Sequence, residues 1–116
     1  MFSVSVVEEF SLKPERLLKQ LLELPSVLFN PHRIGIMVEL YHAGAADFPQ
    51  LAHDLGITPG ALATHLKALA SERLVESKRE QVESRVRTTF IITAKGLSAI
   101  EQMFSNLREI SREFPR

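Results

Sequence analysis

Apolar residues recur every three or four positions over much of the 116-residue chain, which is the spacing of amphipathic helices. The first such run starts at Pro14, a residue suited to a first helical turn, and stops before Pro25. A second run begins at Asn30, whose side chain can cap a helix, and is apolar on nearly all sides until Gly44. The pattern therefore predicts one amphipathic helix followed by a helix at the centre of the fold.

The segment from Phe48 to Leu69 predicts two short helices joined by a sharp turn. Gly56 stands where the first helix must end in a left-handed residue, and Thr58 can cap the second, with Pro59 in its first turn. The buried stripes of the two helices are formed by Leu51, Ala52 and Leu55 and by Leu62, Leu66 and Leu69. This is the pattern of a helix-turn-helix, which presents its second helix to DNA.

Two β-prone runs, Leu74–Arg79 and Val86–Thr93, follow the helix-turn-helix. The residues between them are polar and charged except for Val82, so we expect a hairpin whose tip lies in water. This hairpin, a wing over residues 78–87, would stand beside the second helix. Asp47 is expected to add a brief strand next to it.

After the hairpin, Thr93 is expected to cap a final helix whose apolar residues keep a three-four spacing. A helix of this length would leave an apolar stripe in water unless it met a partner, and we expect that partner to be a second copy of the chain. The alternative is a helix folded back on its own domain. The predicted dimerisation residues are Leu17, Leu18, Leu21, Leu97, Ile100, Phe104, Leu107 and Phe114.

The predicted fold class is mainly α with a small β-hairpin (α+β): a winged helix-turn-helix with extra N- and C-terminal dimerisation helices. Residues 1–29 form the N-terminal segment and helix, 30–93 the core with its wing, and 94–116 the C-terminal helix. Phe2, Val4 and Val6 alternate with polar residues, but the alternation breaks afterwards, and no element is assigned to residues 1–12.

The formal net charge is zero, which by itself argues against a nucleic-acid partner. The charge is polarised, however: residues 1–57 carry four basic and seven acidic side chains, whereas residues 58–87 carry six and four. The basic excess therefore falls on the second helix and the wing, although Glu80 and Glu83 offset part of it. A solvated turn of mixed charge remains the alternative interpretation of the wing.

Several classes of function are disfavoured by what the sequence lacks. It has no cysteine, and its four histidines do not form a metal-binding spacing, so neither a metal nor another cofactor is expected. No nucleophile elbow, P-loop or dinucleotide glycine pattern is present, and we expect no enzymatic activity. Without a secretory signal or an apolar stretch of membrane-spanning length, a cytoplasmic protein is expected.

From Asn30 to about Phe104 the chain resembles the winged-helix DNA-binding domains of the ArsR and MarR-like transcriptional regulators, particularly a short archaeal and bacterial group. The matching segments are NPHRIGIMVEL, LAHDLGITPGALATHLKALASERLVES and RVRTTFIITAKGLSAI. The resemblance implies a homodimeric regulator of double-stranded DNA that places the Thr58–Ser71 helix in the major groove and the wing beside the phosphate backbone. The thiol-based metal sensing of part of the ArsR family cannot operate without cysteine.

The residues expected to contact DNA lie on the second helix and the wing. They are Thr58, Pro59, Gly60, Ala61, Ala63, Thr64 and Lys67 on the helix, and Lys78, Arg79, Arg85 and Arg87 in the wing. The family often has Asn, Ser and Arg where this chain has Ala61, Ala63 and Thr64, so Lys67 is the only long donor on the helix. Binding is expected to be sequence-specific or semi-specific, and a winged-helix protein interaction module without DNA binding is the alternative.

Overall fold

The computed structural model describes residues 13–113, so the expectations for residues 1–12 and for Phe114 lie outside the described part of the chain. Residues 13–113 form five α-helices, one 3₁₀ turn and three strands. In chain order these are α1 (Pro14–Leu22), the 3₁₀ turn (Ser26–Leu28), α2 (Pro31–Ala43), β1 (Ala45–Asp47), α3 (Phe48–Leu55), α4 (Pro59–Ser71), β2 (Val75–Val82), β3 (Arg85–Ile92) and α5 (Ala94–Glu113). The predicted α+β winged helix-turn-helix class is confirmed.

The three strands form one antiparallel sheet in the order β1-β3-β2. Strands β2 and β3 are the predicted hairpin, and the brief strand predicted at Asp47 is β1, whose Ala46 pairs with Phe90. The hairpin is longer than its apolar residues indicated, because pairing continues to Val82 and Arg85 and leaves a two-residue turn. Cross-strand hydrogen bonds thus extend through charged positions that a hydrophobicity pattern cannot assign to a strand.

Two compact units make up the described chain, one of residues 25–100 and the other of residues 13–24 with 101–113. The larger unit has its core around α2, whose Ile36, Met37 and Leu40 have no exposed surface. Helices α3 and α4, the 3₁₀ turn and strands β1 and β3 all contact α2. The apolar sequence of α2 on nearly all sides is therefore explained by its central position, as predicted.

The helix-turn-helix is fixed by local hydrogen bonds at its corner. Gly56 has left-handed backbone angles (φ 64°, ψ 32°), and the N–H of Ile57 donates to the carbonyl of Ala52 at 3.2 Å. Such a bond ends a helix with a reversal of chain direction. Thr58 then caps α4, since its hydroxyl oxygen accepts from the N–H of Ala61 at 3.3 Å. These local groups set the angle at which α4 leaves α3.

Thr93, which follows β3, is hydrogen-bonded to the segment between α4 and β2. Its N–H donates to the carbonyl of Leu74 at 3.1 Å, and its hydroxyl donates to the carbonyl of Arg73 at 2.6 Å. The same hydroxyl oxygen accepts from the N–H of Gly96 at 2.9 Å, which caps α5 as predicted. One residue, through its N–H and its hydroxyl, therefore joins the start of α5 to the segment between α4 and β2.

Helix α5 differs from its predicted role at one position. Ile100, expected at a dimer surface, has no exposed surface in the single chain, so it belongs to the core of its own unit. Leu107 is 55% exposed and Leu97 37%, whereas Phe104 is half-buried. The periodicity identified the apolar stripe of α5 but could not distinguish positions covered by the chain itself from those left in water.

No described helix is both long enough and apolar enough to cross a membrane.

Candidate nucleic-acid interface

Helix α4 has one face in the core and the opposite face in solvent. Leu62, Leu66 and Leu69 are at most 4% exposed, and they seat the helix against the rest of the larger unit. The seven helix residues expected at DNA are all exposed, namely Thr58, Pro59, Gly60, Ala61, Ala63, Thr64 and Lys67. The described chain therefore leaves the candidate DNA-reading face of α4 open to a partner.

The outermost stripe of α4 is formed by Gly60, Thr64 and Lys67, which are three or four positions apart and share one face. Within this stripe the Thr64 hydroxyl donates to the carbonyl of Gly60 at 3.1 Å. Its proton is therefore engaged by the helix backbone, and its oxygen is left as an acceptor. Lys67 is the long hydrogen-bond donor of this stripe, in agreement with the sequence analysis.

The register of the wing divides its cations between two faces. Directly opposed residues of antiparallel strands lie on the same face of a sheet, and faces alternate along each strand. Lys78 opposes Thr89 and Arg79 opposes Thr88, so these two cations lie on opposite faces. Arg85 and Arg87, two residues apart, share the face of Lys78. The wing thus brings together Lys78, Arg85 and Arg87 and separates them from Arg79.

Arg87 is partly engaged by the body of the larger unit. Its Nε lies 3.8 Å from the Asp47 carboxylate, which also caps α3 by accepting from the N–H of Gln50 at 2.9 Å. Asp47 and Arg87, together with Phe48 and Arg85, line an open pocket of about 410 Å³ along β3 of the wing. Within residues 13–113 no ion pair joins Arg85 to an acid. Of the two arginines, Arg85 is therefore the one whose charge is not neutralised by a carboxylate.

A second basic cluster, which no motif in the sequence indicates, lies on another side of α4. The Nε–H of Arg33 in α2 donates to Nδ1 of His65 in α4 at 3.1 Å, and the His32 ring stacks on His65 with 5.2 Å between centroids. Partial burial, followed by the charges of Arg33 and His32, lowers the pKa of His65 below its ordinary value. His65 is therefore neutral near pH 7 and accepts a hydrogen bond through Nδ1.

The carboxylates of the larger unit do not form a metal site. Glu39 on α2 and Asp54 on α3 share a hydrogen bond, which together with burial raises the pKa of Glu39. Hydrogen bonds from Gln50, Glu39 and His53 lower the pKa of Asp54. Among residues 13–113, no three His, Asp or Glu side chains are placed to hold a metal ion together.

The free charge of Arg85 leads to a test of the wing. We expect Arg85→Ala to lower the slope of log affinity against log salt for duplex DNA by about one unit, since each phosphate contact releases about one counterion. Arg87→Ala should lower it less, because the Asp47 carboxylate already neutralises part of the Arg87 charge. Fluorescence anisotropy with a labelled duplex over a salt series measures both slopes.

Lys19→Ala on α1 provides the control for this measurement, since it removes a cation outside the larger unit. Slopes for Arg85→Ala and Arg87→Ala that match the unmodified protein would exclude the wing from the DNA interface. A fall of equal size in the Lys19 variant would show that the slope reports total charge and not a particular contact.

Comparison with known proteins agrees with this geometry. A family model described as a winged helix DNA-binding domain matches residues 32–111. The uncharacterized protein MJ0432 of Methanocaldococcus jannaschii is 32% identical over 80 residues, covering 69% of this chain and 87% of that protein. A transcriptional regulator homologue of Pyrococcus horikoshii superposes with a TM-score of 0.77 at 30% identity, covering 87% of this chain and 99% of that chain.

The fold is also similar to that of the S. aureus protein MepR, solved as a DNA complex. The TM-score is 0.69 at 18% identity, with 84% of this chain and 78% of that chain covered.

The matched family is described as a DNA-binding domain, and the Pyrococcus protein is described as a transcriptional regulator homologue; neither description is that of an enzyme. This agrees with the expectation drawn from the sequence that the chain has no catalytic role.

Proposed function

Because the chain belongs to the winged helix DNA-binding domain family, we propose that it is a transcriptional regulator that binds double-stranded DNA as a homodimer. In this proposal α4 of each copy enters a major groove, and the wing lies beside the phosphate backbone. Sequence discrimination is modest. The proposal depends mainly on one observation, the exposed face of a helix that is seated on the core through its opposite side.

The dimensions of α4 support its placement in the major groove. A helix with its side chains is about 10–12 Å across, and the major groove of B-DNA is about 12 Å wide. The outer stripe of α4 carries Gly60, Thr64 and Lys67, none of which is long and apolar. Close approach of the helix to the base edges therefore meets little steric hindrance.

The charge distribution supports contact with phosphates in spite of the zero net charge. Lys67, Lys78, Arg79, Arg85 and Arg87 are all exposed and lie on α4 or the wing. The acidic excess lies N-terminal to α4, in residues 1–57. An uneven distribution of this kind orients the protein on DNA, because the local field and not the total charge acts at a distance of about one Debye length.

Modest sequence discrimination follows from the short side chains on α4. Bidentate reading of a base edge needs a side chain such as Arg, Asn or Gln, whereas Ala61 and Ala63 offer only methyl groups. The Thr64 hydroxyl is bonded to its own helix. We expect a ratio of specific to random binding near the low end of the usual range, about a thousandfold, supported by thymine methyl contacts and DNA shape.

The homodimer is proposed from exposed apolar side chains in the smaller unit. Leu18 is 56% exposed, Leu22 74% and Leu107 55%, and α1 contains no buried residue at all. Leu18 and Leu22 are four positions apart and so share one face of α1. Large leucines left in water are best covered by a second copy of the same surface, which also gives a symmetric arrangement of two α4 helices.

Binding to a random-sequence duplex over a salt series tests the proposed function. A DNA-binding regulator should bind at low salt and lose affinity steeply as salt rises, because counterion release supplies non-specific affinity. A winged helix that serves only as a protein interaction module should show no salt-dependent binding to DNA. That second outcome would overturn the proposal.

Substitutions on α4 test the proposed mode of readout. Ala61→Asn and Thr64→Arg should each change the preferred sequence or raise affinity about tenfold, because each adds a donor that reaches base edges or phosphates. Binding-site selection from a random library measures the preference. Ala43→Asn at the end of α2 is the matched control, since it adds an amide to an exposed alanine away from α4.

A long and strict consensus for the unmodified protein that stayed the same in the Ala61 and Thr64 variants would contradict this mode of readout. Sequence recognition would then depend on other residues, although binding itself would still be established by the salt series.

A further inference from the structure

We propose that Arg33, with His32 and His65 beside it, forms a second phosphate-binding site on the flank of α4, separate from the wing. This cluster, called here the Arg33 cluster, would contact a backbone phosphate of the DNA groove that α4 enters. The inference rests on the proposed DNA binding and adds contacts that neither the helix stripe nor the wing supplies.

The guanidinium of Arg33 is oriented by neutral acceptors. Its Nε–H donates to Nδ1 of His65 at 3.1 Å, and Nη1 donates to the carbonyl of Val27 at 3.3 Å. A guanidinium has five N–H groups, so three remain for another acceptor. The side chain is therefore held in one position by two bonds while most of its donors are still available.

No acid within residues 13–113 forms an ion pair with Arg33, although the residue is only partly exposed. A partly desolvated cation is ordinarily compensated by an anion, because burial without a partner is unfavourable. Arginine binds phosphate through two parallel N–H bonds, which makes a phosphate oxygen pair a suitable counter-anion. The missing anion is therefore consistent with a ligand that arrives from outside the chain.

The two histidines extend the donor set. His65 accepts through Nδ1, so in its neutral form the proton is on Nε2, which can donate. His32 is exposed and its ring stacks on that of His65. No aspartate or glutamate is among the groups that perturb His65, where burial and the charges of Arg33 and His32 act. The cluster thus offers N–H donors, and within residues 13–113 no acid forms an ion pair with its arginine.

Helix geometry places the Arg33 cluster on the side of α4 that faces a DNA strand. Successive residues of a helix are about 100° apart, so His65 lies about 100° around α4 from Thr64 and farther from Gly60 and Lys67, on the flank between the outer stripe and the buried face. Because a helix nearly fills the width of the major groove, its flanks face the two phosphate backbones and not the bases. A basic group at this angle is in position for a backbone contact.

The decisive comparison is between Arg33→Gln and Arg33→Lys, measured as affinity for a random-sequence duplex over a salt series at pH 8. Arg33→Gln should weaken binding about tenfold and lower the salt slope by about one unit, which corresponds to the loss of one charged phosphate contact. Arg33→Lys keeps the charge and should keep most of the slope. Arg16→Gln on α1 is the control for loss of a cation outside the larger unit.

Substitution of His65 tests whether it positions Arg33. His65→Leu removes the Nδ1 acceptor and should lower both affinity and slope part of the way toward Arg33→Gln. His65→Asn should restore them, because its amide oxygen can accept from the Arg33 Nε–H in place of Nδ1. Melting temperatures of all variants separate effects on folding from effects on the salt slope.

The outcomes distinguish this inference from the proposed function. If the unmodified protein does not bind duplex DNA, the proposed function fails and this inference fails with it. If the unmodified protein binds and Arg33→Gln keeps the full slope, the proposed function stands and the Arg33 cluster is excluded from the interface. Equal loss in Arg33→Gln and Arg33→Lys, together with equally lowered melting temperatures, would assign Arg33 a structural role alone and would also overturn the inference.

Discussion

Replacing Leu18, Leu22 and Leu107 together by glutamate is expected to give a folded monomer that binds duplex DNA about a hundredfold more weakly or worse, since dimerisation links two half-sites. All three side chains are more than half exposed in the single chain, so their replacement removes little packing within it. In a dimer, by contrast, the six new carboxylates would be buried without partners, which is strongly unfavourable. Light scattering gives the mass, and anisotropy gives the affinity.

The control for the dimer prediction combines Lys19→Glu and Ser105→Glu, which place carboxylates at exposed polar positions of the same two helices. This variant should keep the mass and most of the affinity of the unmodified protein. If the triple leucine variant remained a dimer by light scattering, the proposed dimer surface would be wrong. If it became a monomer with unchanged affinity, the two copies would not bind DNA jointly.

The second large effect is expected for Gly96→Ala, which should destabilise the protein by about 3 kcal/mol. A Cβ at Gly96 would lie 2.9 Å from the carbonyl carbon of Leu74 and 3.0 Å from Cγ1 of Ile92, and still closer to the Leu74 oxygen. That carbonyl cannot easily move, because it accepts from the N–H of Thr93. At about 4 °C per kcal/mol for a domain of this size, the melting temperature should fall by about 12 °C.

Gly60→Ala provides a matched control for Gly96→Ala. Both glycines lie in the first turn of a helix, but nothing lies within 4 Å of a Cβ at Gly60. Alanine is favoured over glycine in a helix by up to about 1 kcal/mol, so Gly60→Ala should be neutral or stabilising. Similar melting temperatures for the two variants would show that the contact between Gly96 and the Leu74 carbonyl does not limit packing.

Much of the fold could be predicted because its signals are local. Asn30, Thr58 and Thr93 accept hydrogen bonds from backbone N–H groups three residues later, so each helix start is determined by a short segment. Gly56 adopts the left-handed conformation that its position before the turn required. The end of α4 at Ser71 agrees with the prediction, but the left-handed residue that follows it is Arg73 and not a glycine, so the sequence did not mark that turn.

The candidate interface was predictable in composition but not in arrangement. The exposed residues of α4 followed from its periodicity, because the core face and the outer face are separated by the helix repeat. The grouping of the wing cations depended on strand register, because a shift of one residue moves every side chain of a strand to the other face of the sheet. The Arg33 cluster was missed because Arg33 and His65 are 32 residues apart, and neither stands in a motif that indicates the other.

By itself, then, the sequence determined the order and kind of the elements, the caps and corner of the helix-turn-helix, and the absence of thiol chemistry, since these depend on residues close together in the chain. Tertiary structure alone decided that Ile100 is buried in the core while Leu107 is exposed, and that the Thr93 hydroxyl donates to the Arg73 carbonyl just after α4. It also decided that Arg33 of α2 donates to His65 of α4. Burial and long-range hydrogen bonds depend on how elements pack, and periodicity along one element carries no record of its neighbours.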